Sequence, residues 1–175
     1  MLDGFYKGVS WERHYELVKK STLCDVFLTG TNAITLDGKL VNVDALGNRV
    51  AGIFYGHRMS IVVVGRNKLV ENLEQAFCRI RNLIAPNHIK IRVKLGGRQL
   101  KTPCVTTGKC SDCKSTDRLC NVFTIIEGKP LRTDLYVIII NEDLGLAWDE
   151  SWPKERISKI IKAYEKYVWV PPASS

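Results

Sequence analysis

The chain has 175 residues, of which 45% are hydrophobic and 25% are charged. This composition excludes a disordered or fibrous protein, and a chain of this length forms a core without disulfide staples. The longest apolar runs, 60–65 and 135–140, have the length of strands and are too short to cross a membrane. The first residues lack the basic and apolar segments of a secretory signal. We therefore expect a soluble cytoplasmic protein without a membrane span.

The net charge of +8 raises the question of nucleic-acid binding. The most basic region, 89–118, contains no aromatic residue on which a base could stack, and no nucleic-acid motif accompanies it. A basic surface that meets an anionic cofactor or an acidic partner protein explains the charge equally well. Nucleic acid is therefore disfavoured as a partner.

Apolar spacing and turn residues predict one α/β domain over residues 1–175, with helices at 11–23, 71–84 and about 152–168. Short strands are predicted around an Asp37-Gly38 hairpin turn. The runs 59–64 and 135–140 are almost entirely apolar, which is typical of strands covered on both faces in a mostly parallel sheet. Further strands are predicted at 25–30 and 121–126, residues 89–95 alternate between apolar and basic, and 171–175 form a frayed tail.

Four of the six cysteines lie within residues 102–120, with the spacing C-x5-C-x2-C-x6-C: Cys104, Cys110, Cys113 and Cys120. Four soft thiolates close together suit zinc or an iron–sulfur cluster, and basic residues between them favour the thiolate form. Two disulfides or four unconnected thiols are the alternative. The remaining thiols, Cys24 and Cys78, are predicted to be plain cysteines.

Polar residues follow several predicted strands, where α/β folds place ligands. Glu142 and Asp143 follow 135–140 directly and could act as acid and base or cap a turn. Arg66 and Lys68 follow 59–64 and could hold an anion, although a solvated turn is favoured. Asp44, Asn48 and Arg49 in the loop 44–49 could bind a ligand or form a turn.

Four motifs in this order carry a family resemblance: TGTNAITLDGKLVNVDALGNRVAGIFYG, IVVVGRNKLV, TPCVTTGKCSDCKSTDRLCNV and VIIINEDLGL. Over roughly 25–146 the chain resembles the lactate-utilisation (LUD) domain family, most closely a branch that carries a cysteine motif. The resemblance implies an α/β fold similar to that of ribose-phosphate isomerase and the CoA-transferases. It also implies a link to lactate oxidation with iron–sulfur partner proteins. The ligand pocket that it implies comprises Asn32, Asp44, Asn48, Arg49, Asn67, Lys68 and Asn141.

The chain departs from the family pattern at its beginning, where members usually carry further helices and a glycine-rich strand–loop. The resemblance therefore implies either a shortened form or a pocket completed by another chain. Expected partners are a redox protein or a completing chain, with a homo-oligomer or a small organic anion also possible.

The single C-x-x-C knuckle is atypical of structural zinc sites, whereas a cubane tolerates ligands that approach singly from either side. We therefore expect a [4Fe–4S] cluster, with zinc as the alternative. Three functions remain open: an iron–sulfur electron-transfer or accessory subunit, an enzyme for a small carboxylate or CoA-like anion, and a zinc-stabilised binding module. Catalytic candidates for the enzyme are Glu142, Asp143, Arg49 and Lys68.

Overall fold

The computed structural model describes residues 1–171, so the predicted tail beyond Pro171 lies outside the described part of the chain. The α-helices are α1 Trp11–Ser21, α2 Asn48–Phe54, α3 Leu73–Arg79, α4 Ala85–Lys94, α5 Pro103–Thr107 and α6 Lys154–Tyr167. The strands are β1 Val26–Thr29, β2 Ala33–Thr35, β3 Leu40–Asp44, β4 Met59–Gly65, β5 Leu69–Val70, β6 Val122–Ile126 and β7 Asp134–Ile140. A short 3-10 helix spans Arg66–Lys68, and one turn of π-helix, here called the π-turn, spans Ile80–Ile84.

The strands form two sheets, here called sheet A and sheet B. Sheet A is entirely parallel, with the order β1-β4-β7. Sheet B has the order β5-β2-β3-β6 and is mixed, with β2 and β3 joined by the predicted hairpin. Gly38 in this turn has a φ of +92°, which favours glycine. The α/β class with a mostly parallel sheet flanked by helices is confirmed for sheet A, and sheet B adds antiparallel pairing.

Two clusters of buried side chains hold these layers together. One lies between the sheets, where Val62 and Val64 of sheet A meet Ile34 and Leu40 of sheet B. The other lies on the opposite face of sheet B and packs Val41 against the helices, including Ile80 and Ile160. Sheet B is therefore the middle layer, and among the described residues the helices α3, α4 and α6 cover its far face.

The helix predicted at 71–84 was expected to end at Ala85-Pro86, which is wrong, because the chain stays helical to Lys94 and the alternating stretch 89–95 lies within α4. The N–H of Ala85 bonds to the carbonyl of Ile80, five residues back, in the π-turn. This wider turn accommodates Pro86, which lacks a donor and would otherwise clash with a carbonyl four residues earlier. Ile89 and Ile91 are buried while Lys90 and Lys94 face solvent, so the alternating pattern fits a helix with a broad apolar face.

The prediction that 135–140 is buried on both faces is also wrong. β7 is an edge strand of sheet A, and Tyr136, Ile138 and Ile139 are 52%, 48% and 54% exposed. Tyr136 and Ile138 share a face with Val26 and Leu28 of β1, which is exposed as well. The apolar run is that of a covered parallel strand, but no layer of the described residues covers this face.

Candidate functional site

The four clustered cysteines line one small cavity between α4 and the segment that leads to β6. Cys104 lies on the short helix α5, and the other three lie on the irregular segment that follows it. Arg81, Ala85 and Ile89 form the wall on the helical side, and the cavity has a volume of about 30 Å³. All four cysteines are half-buried.

Local hydrogen bonds fix the backbone between these cysteines. Gly108, with a φ of +75°, ends α5 and donates its N–H to the carbonyl of Cys104. The side chain of Asn82 accepts a hydrogen bond from the N–H of Cys110 at 3.1 Å. Arg118 donates to the carbonyls of Cys113 at 2.6 Å and Cys120 at 2.8 Å. The guanidinium thus ties two of the cysteine peptides together beside the cavity.

The thiols are near enough to influence one another's charge. Burial raises the pKa of Cys120 to about 11, and the neighbouring Cys110 and Cys104 act in the same direction while Arg118 opposes them. Several thiolates in this cavity would repel, and a positively charged metal centre relieves such repulsion. The cavity is therefore electrostatically suited to a cationic centre.

Four cysteine thiols around one cavity are a donor set that suits either zinc or an iron–sulfur cluster. Among residues 1–171 no group of three or more His, Cys, Asp or Glu side chains is placed, as it stands, to hold a metal ion. The N–H of Asp112 also points at the sulfur of Cys110, 3.4 Å away, and such bonds tune cluster potentials.

A second group of predicted residues forms a closed network at the start of α2. Arg49 donates to the side chains of Asn32 at 2.7 Å and Asp44 at 2.9 Å. Asp44 also accepts from the N–H of Val50 at 3.0 Å, while Asn48 is the first residue of the helix. These contacts fix the turn before α2, and the ligand-binding role of the group stays a prediction.

The third group surrounds Asn67, which holds the loop after β7 against the end of β4. Asn67 is fully buried, donates to the carbonyls of Gly145 and Ala147, and accepts from the N–H of Leu144 at 2.9 Å. Gly65 has no room for a side chain, because a Cβ there would lie 2.6 Å from the carbonyl oxygen of Glu142. The motifs at 65–68 and 141–145, which are far apart in the sequence, thus pack directly against each other.

Replacing Asn67 with Ala should lower the free energy of unfolding by about 2–3 kcal/mol, since buried carbonyls and an N–H would lose their partners. Chemical denaturation measures the change. Asn48→Ala is the matched control, because that side chain makes no hydrogen bond among residues 1–171, and it should cost about 0.5 kcal/mol or less. Equal losses in the two variants would contradict this role for Asn67.

Lys68 is buried rather than placed in a solvated turn, which corrects the interpretation favoured from the sequence. Its ammonium donates to the carbonyl of Leu146 at 3.2 Å and has no carboxylate partner among the described residues. Burial lowers the pKa of Lys68 to about 7, with smaller contributions from the charges of Arg49 and Arg79. An amine of this kind is partly neutral at physiological pH.

Glu142 and Asp143 line a larger cavity, of about 460 Å³, between the loop after β7 and α6. Arg49 and Lys68 line neither this cavity nor the cysteine cavity, so the catalytic candidates are divided between separate places. Arg156 and Arg66 bond to Asp143 and hold its pKa below the usual value, with Arg156 contributing most. A carboxylate held in this way remains ionised near neutral pH and is better suited to anchoring than to proton transfer.

Two residues at these places, Asn82 and Arg156, were not identified from the sequence, because they act through partners distant in sequence. Arg118 was among the basic residues noted between the cysteines, but its bonds to their backbone carbonyls were not predicted. Asn141, which was predicted, bonds to the guanidinium of Arg66 at 3.2 Å. A lone asparagine or arginine on an amphipathic helix carries no pattern that distinguishes it from a surface residue.

The fold and these residues define an α/β protein with a cysteine-lined cavity beside its helical layer. The family model for the LUD domain matches residues 1–140, so the chain belongs to the LUD-domain family and is a lactate-utilisation-associated protein. Neither curated proteins nor solved structures gave a match. Among the described residues, no helix has the length and apolar character to span a membrane.

Proposed function

We propose that this LUD-domain protein binds a [4Fe–4S] cluster through Cys104, Cys110, Cys113 and Cys120. In this proposal it serves as an electron-transfer or accessory subunit in the oxidation of lactate or a related organic acid. The observation that carries the proposal is that four cysteines from one largely irregular stretch of the chain line the same cavity. A cluster bound there would supply one-electron transfer.

The chain's own residues would hold the ligands in place and balance the charge. Arg118 and Asn82 restrain the peptides of three of the cysteines, as described above. The region 89–118 carries eight basic and two acidic residues, a net +6 of the chain's +8. The cationic cluster core together with its four thiolates would carry a net negative charge, which these basic residues would balance. The redox partner that docks here should present an acidic surface.

The alternatives have less support from the geometry. For an enzyme acting on a small carboxylate or CoA-like anion, the proposed catalytic residues are divided between a buried lysine and a separate cavity. For a zinc-stabilised module, the cysteines supply a single C-x-x-C knuckle, whereas structural zinc sites usually pair two.

Protein purified without oxygen should be brown and contain about four irons and four acid-labile sulfides per chain, the stoichiometry of one cubane. Elemental analysis, sulfide determination and the visible spectrum test this. A colourless protein with about one zinc per chain would overturn the proposal in favour of the structural module.

A further inference from the structure

The 460 Å³ cavity lies where a ligand site is expected in a parallel sheet. β4 and β7 are neighbouring parallel strands, and their carboxyl ends lead into Arg66 and Glu142, which both line the cavity. The opposite wall is α6, with Ile160 and Ala163 as apolar surface. The volume is in the range of small-molecule sites. Most of the lining lies after residue 140, where the family match ends.

One arginine of the cavity, Arg156, already has its guanidinium bound by neighbouring side chains. Arg156 makes two hydrogen bonds to Asp143, of 2.6 and 2.7 Å, and lies over the Trp152 ring with 3.5 Å between guanidinium carbon and ring centroid. A bidentate ion pair combined with stacking on an aromatic ring fixes the plane of the guanidinium. Arg156 and Asp143 therefore form a rigid, charge-neutral wall.

Two other charged groups of the cavity have unused bonding capacity. Arg66 bonds to Asp143 through Nε at 3.3 Å and to Asn141 through Nη1 at 3.2 Å, while Nη2 makes no hydrogen bond within residues 1–171. In the same part of the chain the carboxylate of Glu142 has no hydrogen bond or salt bridge. The cavity thus offers a ligand the Nη2 group of Arg66 as a donor and the carboxylate of Glu142 as an acceptor.

The charges of the lining decide which ligand class fits. Three cationic residues, Arg66, Arg156 and Lys159, balance three acidic ones, Glu142, Asp143 and Glu155. A ligand of zero net charge that carries both signs preserves this balance and engages both available groups. A simple anion would leave the carboxylate of Glu142 without a cation, and a simple amine would leave the Nη2 group of Arg66 without an acceptor.

We propose that this cavity binds the zwitterion of an apolar α-amino acid. The ligand carboxylate accepts from Arg66, the ammonium donates to Glu142, and the side chain packs on Ile160 and Ala163. Both polar contacts are charge-assisted hydrogen bonds, which are the stronger kind. The site is separate from the cysteine cavity and does not depend on the proposed cluster.

Calorimetric titration of the full chain with matched ligands tests the proposal. Leucine, valine, methionine and phenylalanine are compared with the 2-hydroxy acids of the same skeletons and with 3-methylbutylamine, which lacks the carboxylate. We expect saturable binding of at least one amino acid, and binding at least about tenfold weaker for its hydroxy acid and for the amine. Equal binding of the hydroxy acid, or no binding of any amino acid at about 10 mM, would overturn the proposal.

Two variants assign the contacts. Glu142→Gln should remove the preference for the amino acid over its hydroxy acid, and Arg66→Gln should weaken both ligands. Glu150→Gln, an exposed change outside the cavity, should bind as wild type does. Cys113→Ser should also retain binding, so loss of the cluster and loss of this site are distinguished. Unchanged affinities in both Arg66→Gln and Glu142→Gln, with thermal stability retained, would contradict the assignment.

Discussion

Replacing Cys113 with Ser is expected to abolish the iron and sulfide content of the protein purified without oxygen. The reason is geometric, since Cys113 is one of four thiols around a single cavity, and its peptide is held in place by Arg118. A serine hydroxyl is a harder and much less acidic ligand than a thiol, so it does not replace the thiolate. Iron, sulfide and visible absorbance should fall together to background.

Matched controls come from the two cysteines that do not line the cavity. Cys24→Ser and Cys78→Ser should keep the full iron and sulfide content. Cys78 is the more stringent control, because Asn82 lies 3.6 Å from its sulfur and also bonds to the backbone of Cys110. Full metal content in Cys113→Ser, or loss in both controls, would refute the assignment of the four ligands.

The second large effect is expected at Lys68, whose burial makes stability depend on pH. Its pKa is about 7 in the folded protein and close to the ordinary 10.5 in the unfolded chain. Between these values the unfolded chain binds the proton and the folded protein does not, so stability rises with pH over this window. At about 1.4 kcal/mol per pH unit, the titration of this group raises the free energy of unfolding by up to about 5 kcal/mol between pH 7 and pH 10.5.

Lys68→Met isolates this contribution. At pH 6 the variant should be more stable than wild type, because it no longer buries an ammonium, despite losing the bond to Leu146. The difference should shrink or reverse as the pH approaches 10, which chemical denaturation across the pH range measures. From about pH 10 upward Tyr164 opposes the trend in both proteins, because burial raises its pKa from 10.0 to about 12.

A control and a contrary outcome complete this test. Lys162→Met removes an exposed lysine of α6 and should leave the pH profile of wild type unchanged. If the stability difference between wild type and Lys68→Met were the same at pH 6 and pH 10, the buried amine would not titrate as described.

The spacing of residue types along the chain was sufficient to predict the parts of the structure that depend on local chemistry. The hairpin at Asp37-Gly38 follows from a turn that needs a residue with a positive φ. The final helix follows from apolar residues at helical spacing. Four cysteines within residues 102–120 also meet at one cavity, because a short loop cannot carry them far apart. Their role as metal ligands stays a prediction.

Predictions failed where the outcome depended on neighbours. The stretch at 89–95 alternates as a strand does, yet the π-turn before Pro86 lets the helix continue through it. The run 135–140 has the composition of a covered strand, but burial is decided by the layers that pack against it, and β7 is at an edge. Lys68 was assigned to a solvated turn because no local pattern reveals that the loop of Leu146 covers it.

The sequence by itself determined the α/β class, the LUD-domain family and the cysteine set, since each of these is written in residue identity and short-range spacing. Only the tertiary structure decided which polar residues meet. It left Arg49 and Lys68 outside the cavity that Glu142 and Asp143 line, and it brought Arg66 and Glu142 from distant strand ends to that cavity. The physical reason is that such contacts depend on the order of strands in the sheet and on the helices packed against it, which short-range spacing does not specify.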